Sequence, residues 1–437
     1  MKKKVWLCLF LGLFLAVSLT LSVGMLIAGP SAAGANERLS DAPQWRNKEG
    51  NWNKNYLPDL ADWVSDRFFL RQELISLDNW LTAGVFGNSG EDKVILGKDG
   101  WLFFTETLAN YTGTDSMTDR ELYSAARNLQ LMQQYCQNEG KDFAFMIAPN
   151  KNSLYSAYMP DYGIQAQTTD ADKLMALLDT MDVKTVDLFA AFRQVERPLY
   201  FAHDSHWNSQ GAALGADLVN AAFGVESDYY SGDFSQKQRH DGDLYSMAYP
   251  AFTDPELDGI YGGKLDYRFE GKNTKPDSIR LETTGNGEGR LVAYRDSFGN
   301  LLFPYLADSY GKAMFSRSTS YDMTQEADYI LVELVERNLR YLIGYAPVMP
   351  SPVVSLELPE KTVGNVQVAV KKGSIKGTLP QSPDTDSNVF VVCDGTVYEA
   401  FLLADNGFIA NIPEEANAQY LIYTVGGTLT MFETNAM

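Results

Sequence analysis

The sequence predicts an α/β protein with a mostly parallel sheet flanked by helices, a small C-terminal all-β domain and an N-terminal transmembrane helix. Three observations carry this expectation. Lys2, Lys3 and Lys4 precede an uncharged run, Val5 to Ala28. Strand-like and helix-like segments alternate between Phe143 and Val335. Helical periodicity is lost after Pro347, Pro350 and Pro352, where short β-branched runs alternate with Gly, Pro and Asn turns.

The 24 residues Val5 to Ala28 span about 36 Å as a helix, enough for a bilayer core of roughly 30 Å. They have no polar face, which disfavours a buried core helix. Signal peptides have apolar regions of about 7–15 residues, so residues 1–30 are expected to form an uncleaved signal anchor. Ala33-Gly34-Ala35 is nevertheless a plausible cleavage site, and its use would give a secreted chain. The positive-inside rule leaves the lysines in the cytoplasm and everything after Pro30 outside.

Residues 31–56, polar and rich in Asn, Trp and Gly, read as a linker. Helical spacing of Leu60, Trp63, Val64, Phe68, Leu74, Leu77 and Leu81 predicts two short helices broken near Arg67-Phe68. Val94 to Phe104 is two apolar strands around Lys98-Asp99-Gly100. Thr118 and Glu121 have capping-box spacing and open a helix to about Glu139. Strands are expected at Phe143–Ala148, Lys184–Leu188, Leu199–Ala202, Arg290–Tyr294 and Tyr329–Val335. Helices are expected at Asp170–Met181, Ser209–Phe223 and from about Phe298. Acidic, Gly- and Tyr-rich residues 225–285 interrupt the pattern as an insertion. The α/β domain then covers 57–345 and the β-rich domain 346–437.

At roughly 100–200 residues per domain, 437 residues make two or three domains. A net charge of −20 repels phosphate backbones, so nucleic acid is not an expected partner. Residues 346–437 hold 4 basic and 10 acidic residues, which argues against a membrane-surface role there. Cys8 lies in the apolar run. Cys136 and Cys393 fall in different expected domains and read as buried, unpaired thiols.

Two segments can carry chemistry. One is Tyr200 to Asn208, holding His203, Asp204, Ser205 and His206. The other is Leu291 to Asn300, holding Arg295, Asp296 and Ser297. A serine at a strand-to-helix turn is exposed at the sheet edge, where helix N–H groups favour an oxyanion. It needs a base, and the base needs an orienting group. Residues two apart in an extended segment share a face, so Asp204 can hold His206. The reading is Ser297 as nucleophile, His206 as general base and Asp204 as orienter, with Ser205 facing away. The alternatives are a helix N-cap for Ser297 and a buried structural role for His206. A metal site of His203, Asp204, His206 and His240 is a further alternative, although residues 203 and 206 of an extended stretch point to opposite faces. The favoured reading requires neither metal nor cofactor.

Asp204-Ser205-His206-Trp207 with Gly211-Ala212, followed by Arg295 to Asn300, resembles the DHHW family of bacterial surface proteins. That family is similar to the AlgX/AlgJ group of polysaccharide O-acetyltransferases, which have an SGNH-hydrolase-like fold. Gly97 to Phe103, Ala148 to Lys151 with Tyr155, and Val335 to Asn338 fit the same pattern, and the resemblance runs from about Leu57 to Leu342. It implies catalytic roles for Asp204, His206 and Ser297, an SGNH-like fold, a cell-surface polysaccharide acceptor and a multi-pass membrane acyltransferase as donor. Ser205 stands where the family name has His, and Arg295 replaces the Gly of the acetyltransferases' Gly-Asp-Ser or Gly-Thr-Ser. Asn150, as a second oxyanion donor, and Lys151 follow a strand and can reach the site, unless Pro149-Asn150 only makes a turn. Gly299, which allows close backbone approach, and Asn300 are read as substrate or oxyanion contacts. Arg337 can bind an anionic sugar or form a surface salt bridge. The expected function is acetyl transfer through a serine acyl-enzyme, with a carbohydrate esterase or a silent glycan-binding scaffold as alternatives.

Overall fold

The computed structural model describes residues 2–28, 39–261, 263, 265–371 and 373–436. Ala33-Gly34-Ala35 and the start of the linker lie outside the described residues. Helix α1 (Lys2–Ala28) contains the apolar stretch Val5–Met25, which is long and apolar enough to cross a membrane. After it come α2 (Tyr56–Ser65) and α3 (Arg71–Phe86), broken at Leu70, which has φ 62°. Strands β1 (Val94–Leu96) and β2 (Leu102–Phe104) pair antiparallel, and α4 (Leu108–Thr112) follows. Helix α5 (Asp119–Asn138) opens with the Thr118/Glu121 capping box.

The chain then runs through β3 (Asp142–Ala148), α6 (Lys151–Leu154), α7 (Asp170–Thr180), β4 (Thr185–Val186), α8 (Leu188–Arg193) and α9 (Ser209–Ala222). Next are β5 (Phe234–His240), α10 (Asp243–Ala248), β6 (Glu256–Tyr261), β7 (Arg268–Phe269) and β8 (Arg280–Thr284). The unit closes with β9 (Arg290–Tyr294), α11 (Gly299–Ser309), β10 (Lys312–Ser316) and β11 (Tyr329–Val335).

The central sheet has the order β4-β3-β11-β9-β10-β8-β7. Its first five strands are mutually parallel, and β8 and β7 join antiparallel. Alternation along the strands explains why both faces are covered. Phe143, Phe145, Ile147, Val292, Ile330 and Val332 pack on the side of α5 and α7, whereas Ala144, Met146, Leu291, Ala293 and Leu331 pack towards α9 and α11. The turns after β3, β9 and β11 therefore meet at one sheet edge, the usual place for a site in such folds.

Three expectations need correction. Leu199–Ala202 is not a sheet strand. Its backbone groups are taken by its own return limb, Asn208 N to Leu199 O at 2.8 Å, and by the hairpin, Leu102 N to Ala202 O at 2.9 Å. Only Tyr200 and Trp207 bridge. The strand at 184–188 shrinks to Thr185–Val186 because Asp187 caps α8 through the Ala190 N–H. Residues 225–285 are only partly an insertion. They form the hairpin β5–β6 around α10 and then supply β7 and β8 to the main sheet.

After Pro347 the chain forms β12 (Val353–Val354), β13 (Thr362–Lys371), β14 (Ser374–Thr378), β15 (Val389–Cys393), β16 (Thr396–Glu399), β17 (Phe401–Leu402), β18 (Gly407–Asn411), β19 (Ala418–Val425) and β20 (Thr428–Ala436). Among the described residues these make one sheet, ordered β12-β16-β15-β19-β20-β13-β14-β18-β17. Cys136 and Cys393 are buried and unpaired. Burial pushes the Cys136 thiol up to about 12 and the Cys393 thiol up to about 11, so both are protonated at neutral pH.

Helix α5 joins the two sheets. Arg127 grips Glu399 through two 2.7 Å bonds. Asn128, fully buried, donates to Leu342 O at 3.1 Å and Leu402 O at 2.7 Å, and accepts from Leu402 N at 3.0 Å. Asn128→Ala leaves three buried backbone groups unpartnered. It is expected to cost about 2–4 kcal/mol of stability, read as a lower chemical-denaturation midpoint; an unchanged midpoint would refute this view of the joint.

Candidate active site

The serine turn is built from beneath. Asp296, not Ser297, ties the start of α11. One carboxylate oxygen of Asp296 accepts from Phe298 N at 2.9 Å, and the other accepts from Val335 N at 2.8 Å and Asn338 Nδ2 at 2.9 Å. Asp296 N in turn donates to the buried Glu333 carboxyl at 3.1 Å. Burial, with the neighbouring Asp296 charge, pushes Glu333 well above the usual carboxylate range. The N-cap alternative for Ser297 does not hold, since its Oγ lies 2.9 Å from His206 Nε2 and caps nothing.

Arg295, Gly299 and Asn300 form a brace behind this turn. The buried Arg295 guanidinium donates to Asp296 O at 3.0 Å, to Asn300 Oδ1 at 2.5 Å and to Pro276 O. A Cβ on Gly299 would stand 2.2 Å from Arg295 Cδ, so the close approach expected at Gly299 is to Arg295. Asn300 also donates to Asp277 at 2.7 Å, which makes it part of the brace and not a ligand-facing group.

The histidine segment reaches its geometry by a turn, not by strand alternation. Asp204 Oδ1 accepts from the His206 backbone N–H at 2.8 Å and lies 2.7 Å from His206 Nδ1. This local clasp gives a sharper geometry than the expected shared strand face. Ser205 does not face away. Its Oγ lies 3.1 Å from His206 Nδ1 and donates to Asp243 Oδ2 at 2.7 Å. Trp207, fully buried, joins the two segments by donating its indole N–H to Phe298 O at 3.1 Å.

Lys151 is the clamp on this turn. Its buried ammonium donates to the carbonyls of Phe201 at 2.9 Å, Ala202 at 2.8 Å and Asp204 at 2.7 Å. All three donors are spent on backbone, so Lys151 shapes the Asp204 turn and offers nothing to a substrate. Burial pushes its ammonium down to about 7, against the opposing charges of Asp204, Glu256 and Asp243.

Sequence reasoning placed His240 near Asp204 only as an alternative metal ligand, and missed the other supports from the β5–β6 segment. His240 Nε2 lies 2.8 Å from Asp204 Oδ2 while its ring stacks on Phe201 at 3.7 Å. Asp243 N also donates to Asp204 Oδ2, at 3.0 Å. Glu256 accepts from Ala202 N at 2.6 Å and His203 N at 2.7 Å. Gly242 lets α10 approach, since a Cβ there would stand 2.2 Å from His203 O. The available signal was the rarity of histidine, because His240 is one of only three in the chain.

Burial disfavours the Asp204 carboxylate, but the His206 and His240 hydrogen bonds hold it well below the usual carboxylate range. Burial likewise opposes a charged His206, yet the Asp204 bond and the Asp204 and Asp243 charges raise its pKa above the ordinary histidine value. The proposed four-ligand metal set is not assembled. His203 stacks near Tyr245 with Nδ1 3.7 Å from Asp254. Asp204, His206 and Asp243 do converge within 4.8 Å, but the facing Asp204 and His206 atoms already share a 2.7 Å bond.

Asn150 is fully buried after β3. Its N–H donates to Glu336 at 2.9 Å, while both side-chain amide atoms lack a protein partner. No hydrogen bond joins it to Ser297. The surface salt bridge considered for Arg337 is absent among the described residues; its guanidinium lies over Phe298 at 5.7 Å and Phe104 at 5.3 Å. It is close enough to His206 to oppose protonation of the imidazole.

Comparison with known proteins agrees with the motif reading. Residues 94–256 match the family described as an SGNH hydrolase-like domain, acetyltransferase AlgX. This region holds Asp204 and His206 and ends before Ser297. A probable alginate O-acetylase AlgJ of Pseudomonas syringae pv. tomato is 24% identical over 301 residues, 66% of this chain and 69% of that protein. Among solved structures, a DHHW family protein from Eubacterium siraeum has a TM-score of 0.39 at 16% identity, covering 49% of this chain and 85% of that one. The O-acetyltransferase domain of Pseudomonas putida AlgJ has a TM-score of 0.38 at 16% identity, covering 56% and 91%. Residues 94–256 are thus similar to the AlgX-type SGNH hydrolase-like domain, and the chain resembles AlgJ over 301 residues.

Proposed function

We propose that this chain transfers an acyl group, acetyl in the first instance, to a cell-surface polysaccharide outside the cytoplasm through a covalent ester on Ser297. The supporting observation is the relay of Ser297 Oγ to His206 Nε2 at 2.9 Å and His206 Nδ1 to Asp204 Oδ1 at 2.7 Å. His206 takes the Ser297 proton as Oγ attacks the donor carbonyl, then returns it to the departing group. A sugar hydroxyl next gives its proton to His206 and attacks the ester, and Ser297 recovers its proton as it leaves. The partner-free amide of Asn150 is the candidate oxyanion donor, and Arg337 the candidate group for anionic substrate. Resemblance to the AlgX/AlgJ group favours a multi-pass membrane acyltransferase as the donor. In this reading α1 anchors the chain, with no nucleic acid, metal or cofactor required.

Attack by water in place of sugar would make the chain an esterase. Arg295, the departure from the acetyltransferase motif that would favour a silent scaffold, braces the serine turn from behind, which supports the enzyme reading. The deciding experiment treats the full chain with 4-nitrophenyl acetate and then with candidate glycans, reading Ser297 by peptide mass spectrometry. Acetyl that moves to glycan supports transfer, loss only to water supports the esterase, and no Ser297-dependent labelling or turnover leaves the scaffold.

Two results are expected from this site. Asn150→Ala should lower kcat by about 10²–10³-fold if its amide meets the oxyanion, with little change in folding midpoint; unchanged turnover would remove Asn150 from the site. The base must be neutral to accept the serine proton, so kcat/KM should rise with pH through a value above the ordinary histidine pKa. Asp243→Asn removes one of the charges raising that value and should move this limb to lower pH. A limb that stays in place would contradict the assignment.

A further inference from the structure

Helix α3 is amphipathic in the inverted sense. The side chains it buries are Ser76 and Asn79. Ser76 Oγ accepts from Ala251 N at 2.9 Å, and Asn79 Nδ2 donates to Ala248 O at 2.7 Å. The opposite stripe, Leu74, Leu77, Leu81 and Val85, follows helical spacing and is 40% to 70% exposed, and Trp80 and the terminal Phe86 are exposed as well. A helix on a water-facing surface turns its apolar stripe inward, and contiguous apolar exposure of this kind marks a contact surface.

Continuity with α1 indicates what covers the stripe. Phe69 N donates to Leu21 O of α1 at 3.4 Å, and the Phe69 ring fills the space where Gly24 would carry a Cβ. Helix α3 thus starts beside the end of the stretch Val5–Met25. The segment between the two helices exposes Trp45 and Trp52, and Trp45 stacks on Tyr56 at 4.2 Å. Trp and Tyr are the residues enriched at membrane–water interfaces. The charges on α3 are Arg71, Glu73 and Asp78, which leaves no net attraction to anionic lipid.

We propose that α3 lies in the interface of the bilayer that α1 crosses, with its Leu74–Leu77–Leu81–Val85 stripe among the acyl chains and Trp80 at headgroup level. The occupant of the stripe is lipid. This inference rests on reading α1 as a membrane anchor. It also places the candidate site near the membrane, because α3 holds the end of α10 through Ala248 and the start of α10 supports Asp204 through Asp243. Helix α10 has six residues, about 9 Å long. A donor delivered from within the membrane would have a short path to Ser297.

The test reconstitutes the full chain in phosphatidylcholine vesicles. Native Cys8 reports the anchor by its protection from a water-soluble maleimide. In a Cys8→Ser background, an environment-sensitive fluorophore is attached at Leu81→Cys, at Val85→Cys as a second position, and at Lys361→Cys as a remote exposed control. The expected result is protected Cys8, with blue-shifted emission quenched by spin-labelled lipid at 81 and 85 but not at 361, unaltered by adding anionic lipid. Protected Cys8 with labels at 81 and 85 as open to iodide as the one at 361 would overturn the α3 proposal and leave the anchor intact. Labels shielded from both iodide and lipid quencher would indicate a protein neighbour and overturn it as well. Accessible Cys8 would remove the anchor reading itself.

Discussion

Ser297→Ala is expected to lower acyl turnover by about 10⁴–10⁶-fold while leaving the fold intact, the scale seen when one member of an interdependent nucleophile–base set is removed. Ser297 Oγ touches His206 Nε2 and caps no helix, so deleting it breaks one hydrogen bond and strands no backbone group. His206→Ala should cost nearly as much, and the double variant little more than either single, because both serve one proton transfer. Hydrolysis of 4-nitrophenyl acetate and acetyl labelling of the serine peptide provide the readouts. Turnover of Ser297→Ala within tenfold of the parent would end the nucleophile assignment. Additive losses in the double variant would indicate that the 2.9 Å contact is not a catalytic relay.

Lys151→Met should have the largest effect on stability, about 3–5 kcal/mol, because it leaves three buried carbonyls without their donor. The stranded groups are the carbonyls of Phe201, Ala202 and Asp204, which shape the turn presenting His206. Activity should therefore fall beyond what unfolding explains. The pH limb should also shift, as a looser Asp204 no longer holds up the His206 pKa. Lys151→Arg should not rescue fully, because the three carbonyls are spaced for one buried ammonium nitrogen and a planar guanidinium presents its donors in a fixed fork. Denaturant melts combined with the pH–rate profile test this. A Lys151→Met protein with parental midpoint and profile would sink the clamp.

Local chemistry explains what was legible in the residues. The Thr118/Glu121 capping box opens α5, and the apolar runs at Phe143–Ala148, Arg290–Tyr294 and Tyr329–Val335 are the central strands. The helix break near Arg67 and the β-rich end after Pro347 follow from spacing and turn residues. The pairing of Asp204 with His206 was anticipated for the wrong reason: a turn, not a strand, brings them together.

Errors arose where a polar residue had several available partners. Lys151 and Asn300 were expected at the substrate, but carbonyls and a buried guanidinium claimed them. His240, Asp243 and Glu256 lie 36 to 52 residues beyond Asp204, and no periodicity links segments that distant. Only closure of the β5–β6 hairpin over the histidine turn brings them there.

The sequence by itself determined the main helices and the central strands, where the apolar N-terminal helix lies and which residue types can carry acyl chemistry, because propensity, periodicity and capping act over a few residues. The tertiary structure alone decided which of those polar groups face each other across the sheet edge and which are consumed as braces. It also turned the apolar stripe of α3 outward, since burial and hydrogen-bond partners are fixed by chain packing and not by spacing.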